Sequence, residues 1–529
     1  MCETCQALAN TTESVSGLSE NCPASTLDTG GSLGYDTITV YFVPSGGTAN
    51  AVPGERTSEG WTSYQQQQFM AALTTISNYI DVTFTQTSDP NADFQFVLDD
   101  FGNAGSLGYF YLPPVEDYSG QLMGAFNSGG YGWNNDGGLE AGGLGYSTII
   151  HEALHGLGLA HPHDGDSILN GLEGFTGNSD YPFGYYGDYD LNQGVYTIMS
   201  YNDGLYTNPA TDWQNDGSSA SPMALDIAIL QEIYGANTTY NSGDNVYEIP
   251  DNDDAWISIW DTGGEDTISY SGTKDVTIDL REATLIYAEG GGGYISGADG
   301  VAGGYTIANG AVIENAIGGS GDDTLIGNGA DNELTGNGGN DELVGGTGDD
   351  DLDGGSGNDT LQGDSGSDDA TVSSGTNTIY GGSGFDDLDG GTGVDTIFGG
   401  SGDDDITGGG SGDTLYGGRG DDDIDGDAGA DTIIGGMGAD TLTGGAGADT
   451  FVFNAMSDSF IGNSDTIDDF GNGSDQIDLS ALGISGADVT LNASGGNTTV
   501  FIDSNDDGVD DMAILLTGTV LTDTSDFIF

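Results

Sequence analysis

His151-Glu152-Ala153-Leu154-His155-Gly156-Leu157-Gly158-Leu159-Ala160-His161 is the most informative stretch of this 529-residue chain. It holds three of the chain's four histidines, and His163 follows two residues later. On a helix, His151 and His155 lie one turn apart and project from the same face. A straight helix would carry His161 roughly 9 Å further along its axis, at about 1.5 Å per residue. The chain must therefore turn, and Gly158 is the residue type that ends a helix in a left-handed conformation.

Convergence of these side chains predicts a metal centre. Three neutral imidazoles, from His151, His155 and His161, make a zinc site with one position left for water, which is the catalytic arrangement. Glu152 follows the first ligand and is not itself a ligand, so it is placed to take the proton of that water. His163, Asp164 and Asp166 could bind a further metal, but a solvated loop is the favoured interpretation.

The spacing His-Glu-x-x-His-x-x-Gly-x-x-His resembles that of the metzincin zinc endopeptidases, and the run Thr197-Ile198-Met199-Ser200-Tyr201 resembles their Met-turn. The resemblance implies that Met199 forms a hydrophobic floor beneath the metal. It also implies, from the serralysin and astacin branches, that Tyr201 ligates zinc at rest and swings away to stabilise the oxyanion. The alternative is that Met199 fills a core and Tyr201 is a surface aromatic.

Acidic residues dominate the composition, with 86 Asp and Glu against 4 Lys and Arg and a formal net charge of −82. Nucleic acid and anionic membranes are excluded as partners because both need clustered basic residues. No basic residue lies between positions 57 and 273, so zinc and Tyr201 must carry the oxyanion role. The excess carboxylates cannot be neutralised by salt bridges and need bound cations, solvent or high ionic strength. Calcium is the expected counter-ion, and salty surroundings are a compatible alternative.

A nine-residue repeat, Gly-Gly-x-Gly-x-Asp-x-apolar-x, runs in register from residue 318 to residue 452. Its sixth position is Asn332 and Asn377 in two copies and aspartate in the others: Asp323, Asp341, Asp350, Asp359, Asp368, Asp386, Asp395, Asp404, Asp413, Asp422, Asp431, Asp440 and Asp449. The eighth position is apolar throughout, with Ala370 the smallest residue there. Each unit predicts a glycine turn, a carboxylate ligand and a short strand whose eighth residue points into a narrow core.

These units resemble RTX repeats, which implies a parallel β-roll with two units per coil and calcium between neighbouring turns at those thirteen aspartates. The alternative is a disordered acidic linker, which like-charge repulsion would favour in the absence of calcium.

The predicted fold class is an α+β metzincin catalytic domain followed by an all-β parallel β-roll (RTX) domain. We expect an N-terminal cysteine-containing segment at 1–32, a protease domain at 33–240, a β-rich entry to the roll at 241–317, the roll at 318–452, and a β cap with a secretion signal at 453–529. Apolar spacing predicts a helix at 63–80 and a strand at 107–112. The resemblance implies that 222–237 is the helix that closes the catalytic domain, and that the strand at 107–112 is an edge strand that holds peptide substrate by backbone pairing.

Two further motifs leave alternatives open. Cys2, Cys5 and Cys22 could supply a pro-segment thiolate that occupies the zinc position, or form a local disulfide, bind a metal themselves, or leave with a removable segment. The run Asp503-Ser504-Asn505-Asp506-Asp507-Gly508 is equally compatible with a calcium loop and a hairpin turn.

The resemblance to serralysins extends over residues 33–529 and implies a secreted, extracellular zinc endopeptidase that acts on proteins and peptides as a monomer. No apolar run is long enough to span a membrane. The N-terminus lacks the features of a secretory signal peptide. Asp526-Phe527-Ile528-Phe529 resembles the terminus that a one-step type I secretion apparatus reads. The rival interpretation is a calcium-dependent surface or matrix-binding protein whose protease domain is vestigial.

Overall fold

We describe the protein from a computed structural model. The described residues are 32–34, 36–51, 54–101, 107–110, 120–129, 138–162, 191, 193, 195–200, 218–252, 255–286, 288–471, 474–505 and 507–529. The chain forms two compact units: Met1–Asp266 with Leu280–Ile313, and Thr267–Asp279 with Glu314–Phe529. Each unit is described separately below.

A mixed sheet forms the framework of the first unit. Its described strands are β1 (Thr37–Phe42), β4 (Thr83–Gln86), β5 (Phe94–Asp99), β6 (Gly108–Phe110) and β7 (Leu122–Asn127), and β2 (Thr48–Ala51) and β3 (Gly54–Thr57) form a separate antiparallel pair. The order is β4-β1-β5-β7-β6. Neighbours run parallel except at the β7–β6 edge, where Tyr109 pairs with Ala125 in antiparallel register. A free antiparallel strand at a sheet edge is a site where an extended peptide can add by backbone pairing.

Three helices belong to the described part of the first unit: α1 (Ser63–Ser77), α2 (Leu144–Leu157) and α3 (Ala224–Tyr234). Helix α1 begins at a capping box, in which the Thr62 side chain accepts the N–H of Gln65 and the Gln65 side chain accepts the N–H of Thr62. Its apolar face buries Phe69, whose ring centroid lies 4.7 Å from that of Phe126 and 5.3 Å from that of Phe96. The helix thereby packs against β5 and β7 through a tilted contact with Phe96 and an edge-to-face contact with Phe126.

Short strands complete the first unit. They are Val246–Glu248, Trp256–Ile259, Gly297–Ala298 and Gly304–Ile307, and the second and fourth of them pair in parallel.

The second unit is a parallel coil with two strand columns. The first column contains Thr267–Ser269, Asn315–Ile317, Glu333–Thr335, Asp351–Asp353, Asp369–Thr371, Asp387–Asp389, Asp405–Thr407, Asp423–Asp425, Thr441–Thr443 and Thr466–Ile467. The second contains Val276–Asp279, Thr324–Ile326, Glu342–Thr347, Thr360–Ser365, Thr378–Ser383, Thr396–Ser401, Thr414–Arg419, Thr432–Met437, Thr450–Val452, Gln476–Asp478 and Phe527–Ile528. Ser374–Gly375 and Thr392–Gly393 form a further short parallel pair.

Between residues 315 and 452, strand pairing within each column has a period of 18 residues, which is two nonapeptides per coil. Leu343 pairs with Leu361, and Leu361 pairs with Ile379. The residue at the eighth position of every repeat is buried. These residues are Leu325, Leu334, Leu343, Leu352, Leu361, Ala370, Ile379, Leu388, Ile397, Ile406, Leu415, Ile424, Ile433, Leu442 and Phe451. The predicted fold class, an α+β unit followed by a parallel β-roll, is confirmed.

Antiparallel strands close the far end of the roll. Val489–Ser494, Asn497–Ile502 and Met512–Leu516 form a meander, and its last strand runs parallel to Thr466–Ile467. The loop that begins at Asp503 connects two of these strands. The Asp503 carboxylate accepts the N–H groups of Asp507 and Gly508. Asp506 lies outside the described residues. The choice between a calcium loop and a hairpin turn stays open.

Candidate metal centre

Helix α2 carries the first two histidines and ends where the sequence requires a turn. Gly158 follows the helix with a φ of 109°, in the left-handed region that a side chain disfavours. The N–H of Leu159 then donates to the carbonyl of Leu154 at 3.0 Å, which closes the helix end. The chain doubles back within three residues and returns His161 to the helix.

The three imidazoles converge. Nε2 of His161 lies 3.2 Å from Nε2 of His151 and 3.1 Å from Nε2 of His155. The ligand atoms of all three lie within 4.8 Å of one another. Tetrahedral zinc with nitrogen ligands at about 2.0–2.1 Å separates those nitrogens by roughly 3.3 Å, so this donor set fits zinc.

Backbone carbonyls fix which nitrogen of each imidazole carries the proton. Nδ1 of His151 lies 2.7 Å from the carbonyl oxygen of Ile198, and Nδ1 of His155 lies 2.7 Å from that of Leu159. A carbonyl can only accept, so each Nδ1 donates its hydrogen and each Nε2 keeps a lone pair for a metal. Burial, and then the neighbouring imidazoles, hold the pKa of His155 well below its usual value, which keeps the ring neutral.

Glu152 is buried beside the imidazoles at 8% exposure. Burial raises its pKa to about 8, and the backbone N–H of Phe110, which donates to the carboxylate, opposes that shift. Among the described residues, Oε2 of Glu152 has no hydrogen-bond partner. A Cβ on Gly108 would lie 3.2 Å from Cγ of Glu152, so the glycine leaves room for the carboxylate under the edge strand. The arrangement presents one oriented and one unengaged carboxylate oxygen, as a proton acceptor requires.

A second close approach joins the edge strand to the helix. A Cβ on Gly156 would lie 2.6 Å from the ring of Phe110, and a Cβ on Gly124 would also lie 2.6 Å from it. The Phe110 ring therefore packs between two glycines. This packing brings β6 against α2 and places the Phe110 N–H beside Glu152.

The turn at Thr197–Ser200 is buried, with Met199 at 0% exposure. A carboxylate in α3 supports it. Asp226 accepts from the Thr197 hydroxyl at 2.6 Å and from the Ile198 N–H at 2.8 Å. Tyr201 and His163 lie outside the described residues, as do Cys2, Cys5 and Cys22.

Sequence reasoning missed Asp226 and Phe110. Asp226 interrupts the apolar run Ala224-Leu225-Asp226-Ile227-Ala228-Ile229-Leu230. An acidic residue is seldom buried unless it is paired, so its place in this run could have indicated that it has a partner. Phe110 contacts Glu152 through its backbone N–H, so the identity of its side chain could not have indicated this contact.

The repeat aspartates form two buried ladders along the roll. Oδ1 of Asp341 accepts the N–H of Asp323 at 2.8 Å, and the same bond joins later pairs 18 residues apart. In the part of the chain that the structure describes, the other carboxylate oxygen is buried without a hydrogen-bond partner in twelve of the thirteen: Asp341, Asp350, Asp359, Asp368, Asp386, Asp395, Asp404, Asp413, Asp422, Asp431, Asp440 and Asp449. At Asp323, Oδ2 accepts the N–H of Gly319 instead.

Unpartnered, buried carboxylate oxygens beside glycine turns are the donors that calcium prefers. A Cβ on Gly336 would lie 2.5 Å from Oδ2 of Asp341 and 2.9 Å from the carbonyl oxygen of Gly354, so only glycine leaves this cradle open. The two asparagines differ, because the side-chain amide of Asn332 donates to the Glu314 carbonyl and that of Asn377 donates to Asp395. The residues present therefore fit calcium at the aspartates.

Two protein-family models match segments of the chain between residues 224 and 451. Residues 224–389 match the peptidase M10 serralysin C-terminal family, and overlapping segments within 380–451 match the RTX calcium-binding nonapeptide repeat. The chain carries a serralysin C-terminal domain with RTX repeats.

Curated relatives agree with this assignment. Serralysin of Photorhabdus luminescens is 35% identical over 279 residues, which are 50% of this chain and 52% of that protein. Serralysin C of Dickeya chrysanthemi is 34% identical over 310 residues, which are 54% of this chain and 56% of that protein. Metallopeptidase AprA of Pseudomonas marginalis is 32% identical over 280 residues, which are 50% of this chain and 54% of that protein. The chain thus spans about half the length of the curated relatives it matches.

Within the described residues, none of the helices combines the length and the apolar character needed to cross a membrane.

Proposed function

We propose that this protein is a zinc-dependent endopeptidase that hydrolyses peptide bonds in proteins. The observation that carries the proposal is the convergence of three Nε2 atoms, from His151, His155 and His161, at the helix that also carries the buried Glu152. The similarity to serralysins supports the same class of activity, although it covers about half of each relative.

In this proposal the three histidines hold zinc through Nε2, with Nδ1 anchored on backbone carbonyls. Bound zinc supplies Lewis-acid chemistry to a carbonyl oxygen and to water. Glu152 accepts the proton of the attacking water and later returns it to the leaving amine. A cation at the imidazoles favours the carboxylate form of Glu152 over the neutral form that burial favours, so the base is available at neutral pH. Tyr201 is proposed as the group that donates to the oxyanion.

Substrate would bind in extended form along β6, the antiparallel edge of the sheet, where the Phe110 N–H already contacts Glu152. Backbone pairing at such an edge is independent of side-chain identity. We therefore expect cleavage of unfolded proteins and peptides of varied sequence.

Calcium at the repeat aspartates is proposed to stabilise the roll. Weak sites of about 10⁻⁴ to 10⁻³ M would fill outside the cell and remain empty in the cytosol. This supports a secreted, extracellular monomer that leaves the cell through a type I secretion apparatus.

The proposed endopeptidase activity is tested by cleavage of unfolded casein in the presence of calcium and zinc. We expect activity in the wild type, its loss on removal of zinc, and its loss in Glu152→Ala with zinc still bound. Glu140→Ala, at an exposed acidic position, is the control and should cleave normally. Equal cleavage by wild type and Glu152→Ala would overturn the proposal.

The rival function is calcium-dependent binding to a cell surface or matrix by a protein with an inactive protease domain. The ligand positions and the buried glutamate are all retained, which disfavours it. A wild-type protein that binds zinc stoichiometrically but leaves casein intact would favour it.

A further inference from the structure

Asp226 is fully buried, at 0% exposure, and belongs neither to the three metal-facing histidines nor to the roll. It stands in the first turn of α3. Its Oδ2 accepts the N–H of Met223 at 2.9 Å, which satisfies one of the free donors at the helix start. Capping alone needs one oxygen at a helix end. The other contacts of this carboxylate all go to a single distant turn.

That turn is held at three consecutive residues. Oδ1 of Asp226 accepts the hydroxyl of Thr197 at 2.6 Å, and Oδ2 accepts the N–H of Ile198 at 2.8 Å. The Thr197 hydroxyl oxygen in turn accepts the N–H of Met199 at 3.2 Å. One carboxylate therefore fixes the backbone of the turn directly and through one hydroxyl.

Ile198 connects this network to the metal centre. Its N–H donates to Asp226, and its carbonyl oxygen accepts Nδ1–H of His151 at 2.7 Å. One bond is made by the N–H of Ile198 and the other by its carbonyl oxygen. A shift of Ile198 would lengthen the bond to His151, which sets both the orientation of the ring and the nitrogen that faces the metal.

We propose that Asp226 is a positioning residue for the ligand His151, acting through Thr197 and Ile198; this inference rests on the proposed function. A carboxylate suits the role because it only accepts, and its contacts are two N–H groups and a hydroxyl. A leucine of similar size would leave those buried donors unpaired and release the turn.

The experiment measures zinc affinity by chelator competition on folded protein, so that it does not depend on catalysis. We expect Asp226→Leu to weaken zinc binding about 10- to 100-fold, the usual effect of removing a group that orients a metal ligand. Asp226→Asn should stay within about threefold of wild type, because its amide oxygen can accept both N–H groups while its NH₂ donates to the Thr197 hydroxyl. The d–d absorption of the cobalt-substituted protein should change in Asp226→Leu and persist in Asp226→Asn.

A matched control separates positioning from general stability. Leu230→Ala removes a buried side chain four residues further along the same helix, keeps the hydrogen-bonding groups of Asp226 in place, and should lower the melting temperature. Zinc affinity should be unchanged in this variant. If Leu230→Ala weakens zinc binding as much as Asp226→Leu does, or if Asp226→Leu binds zinc as tightly as wild type, the positioning role is overturned.

If Asp226→Leu does not fold, two milder substitutions at Thr197 test the positioning role. Thr197→Val removes only the hydroxyl link, whereas Thr197→Ser retains it. Zinc affinity should fall in the valine variant and be retained in the serine variant, and equal affinity in the two would contradict the proposal. A wild type that binds no zinc would overturn the proposed function, and this inference with it. A wild type that binds zinc and cleaves casein, with no change in these variants, would overturn this inference alone.

Discussion

Oδ1 of Asp341 accepts the backbone N–H of Asp323 at 2.8 Å, while Oδ2 of Asp341 is buried and has no hydrogen-bond partner among the residues that the structure describes. Along the roll such carboxylates stack beside one another. Burial, and to a smaller extent neighbouring carboxylates, raises the pKa of Asp341 and of Asp422 to about 7, and that of Asp404 to about 6. Without a cation, protons are the only species that can neutralise these groups. The stability of the roll should therefore depend on pH in a way that calcium alters.

The first prediction concerns metal-stripped protein. The pKa values are raised in the folded roll above their ordinary value of 3.8, so the folded state binds more protons than the unfolded state between about pH 4 and 7. The free energy of unfolding should therefore fall as pH rises through this window. Denaturant unfolding of metal-stripped protein, followed by circular dichroism at pH 5 and pH 8, measures it.

With saturating calcium the decline should vanish or reverse, because calcium requires the ionised carboxylates. A stability that increases from pH 5 to pH 8 in the metal-stripped protein would contradict the proposed burial of unpaired carboxylates.

The second prediction compares two adjacent aspartates. Asp404 is 2% exposed and has an unpartnered Oδ2, whereas Asp405 points to solvent. Asp404→Asn should raise the calcium concentration needed for folding by roughly tenfold, since affinity follows the number of ligand charges. Asp405→Asn, with the same change in net charge, should leave it nearly unchanged. Calcium titration followed by circular dichroism distinguishes the two, and equal effects would show that overall charge governs folding.

Periodicity made the roll predictable, since Leu343, Leu361 and Ile379 recur at fixed spacing and lie in the core at the expected places. The clustering of the histidines was equally readable because it depends on the local turn at Gly158. The Ile198 carbonyl could not be anticipated, because its bond to His151 joins residues 47 positions apart and uses no side-chain chemistry of Ile198.

The end of the roll shows the same limit. Asp465 accepts the N–H of Asp440 at 3.1 Å and continues one ladder, although 25 residues separate the two and the nine-residue frame has ended. The contact follows from strand stacking, which sequence spacing no longer encodes once an insertion changes the period.

The third prediction tests the packing of β6 on α2, the helix that carries His151 and His155. Gly156→Ala would place a Cβ 2.6 Å from the Phe110 ring and 2.9 Å from that of Phe94. Overpacking costs about 1–3 kcal/mol, and the better helix propensity of alanine returns about 1 kcal/mol. We expect a net loss of stability. We also expect kcat to fall, because the Phe110 N–H would move away from Glu152.

Replacing Phe110 by leucine in the Gly156→Ala background should restore part of both, since the smaller side chain relieves the contact. Thermal unfolding and casein cleavage of the two single variants and the double variant provide the measurement. Additive effects would show that the two positions are not coupled.

The fourth prediction separates the apolar core of the roll from its cation sites. Leu388 is fully buried and pairs with Ala370 on one side and Ile406 on the other. Leu388→Ala should cost about 2–5 kcal/mol in saturating calcium, near the upper end of the range because the neighbouring Ala370 is too small to fill the cavity. Asp387→Ala, at the adjacent exposed position, should change stability by less than about 0.5 kcal/mol. Denaturant unfolding at fixed calcium measures both. A loss below about 1 kcal/mol for Leu388→Ala would mean that bound cations alone hold the coil and that the apolar column contributes little.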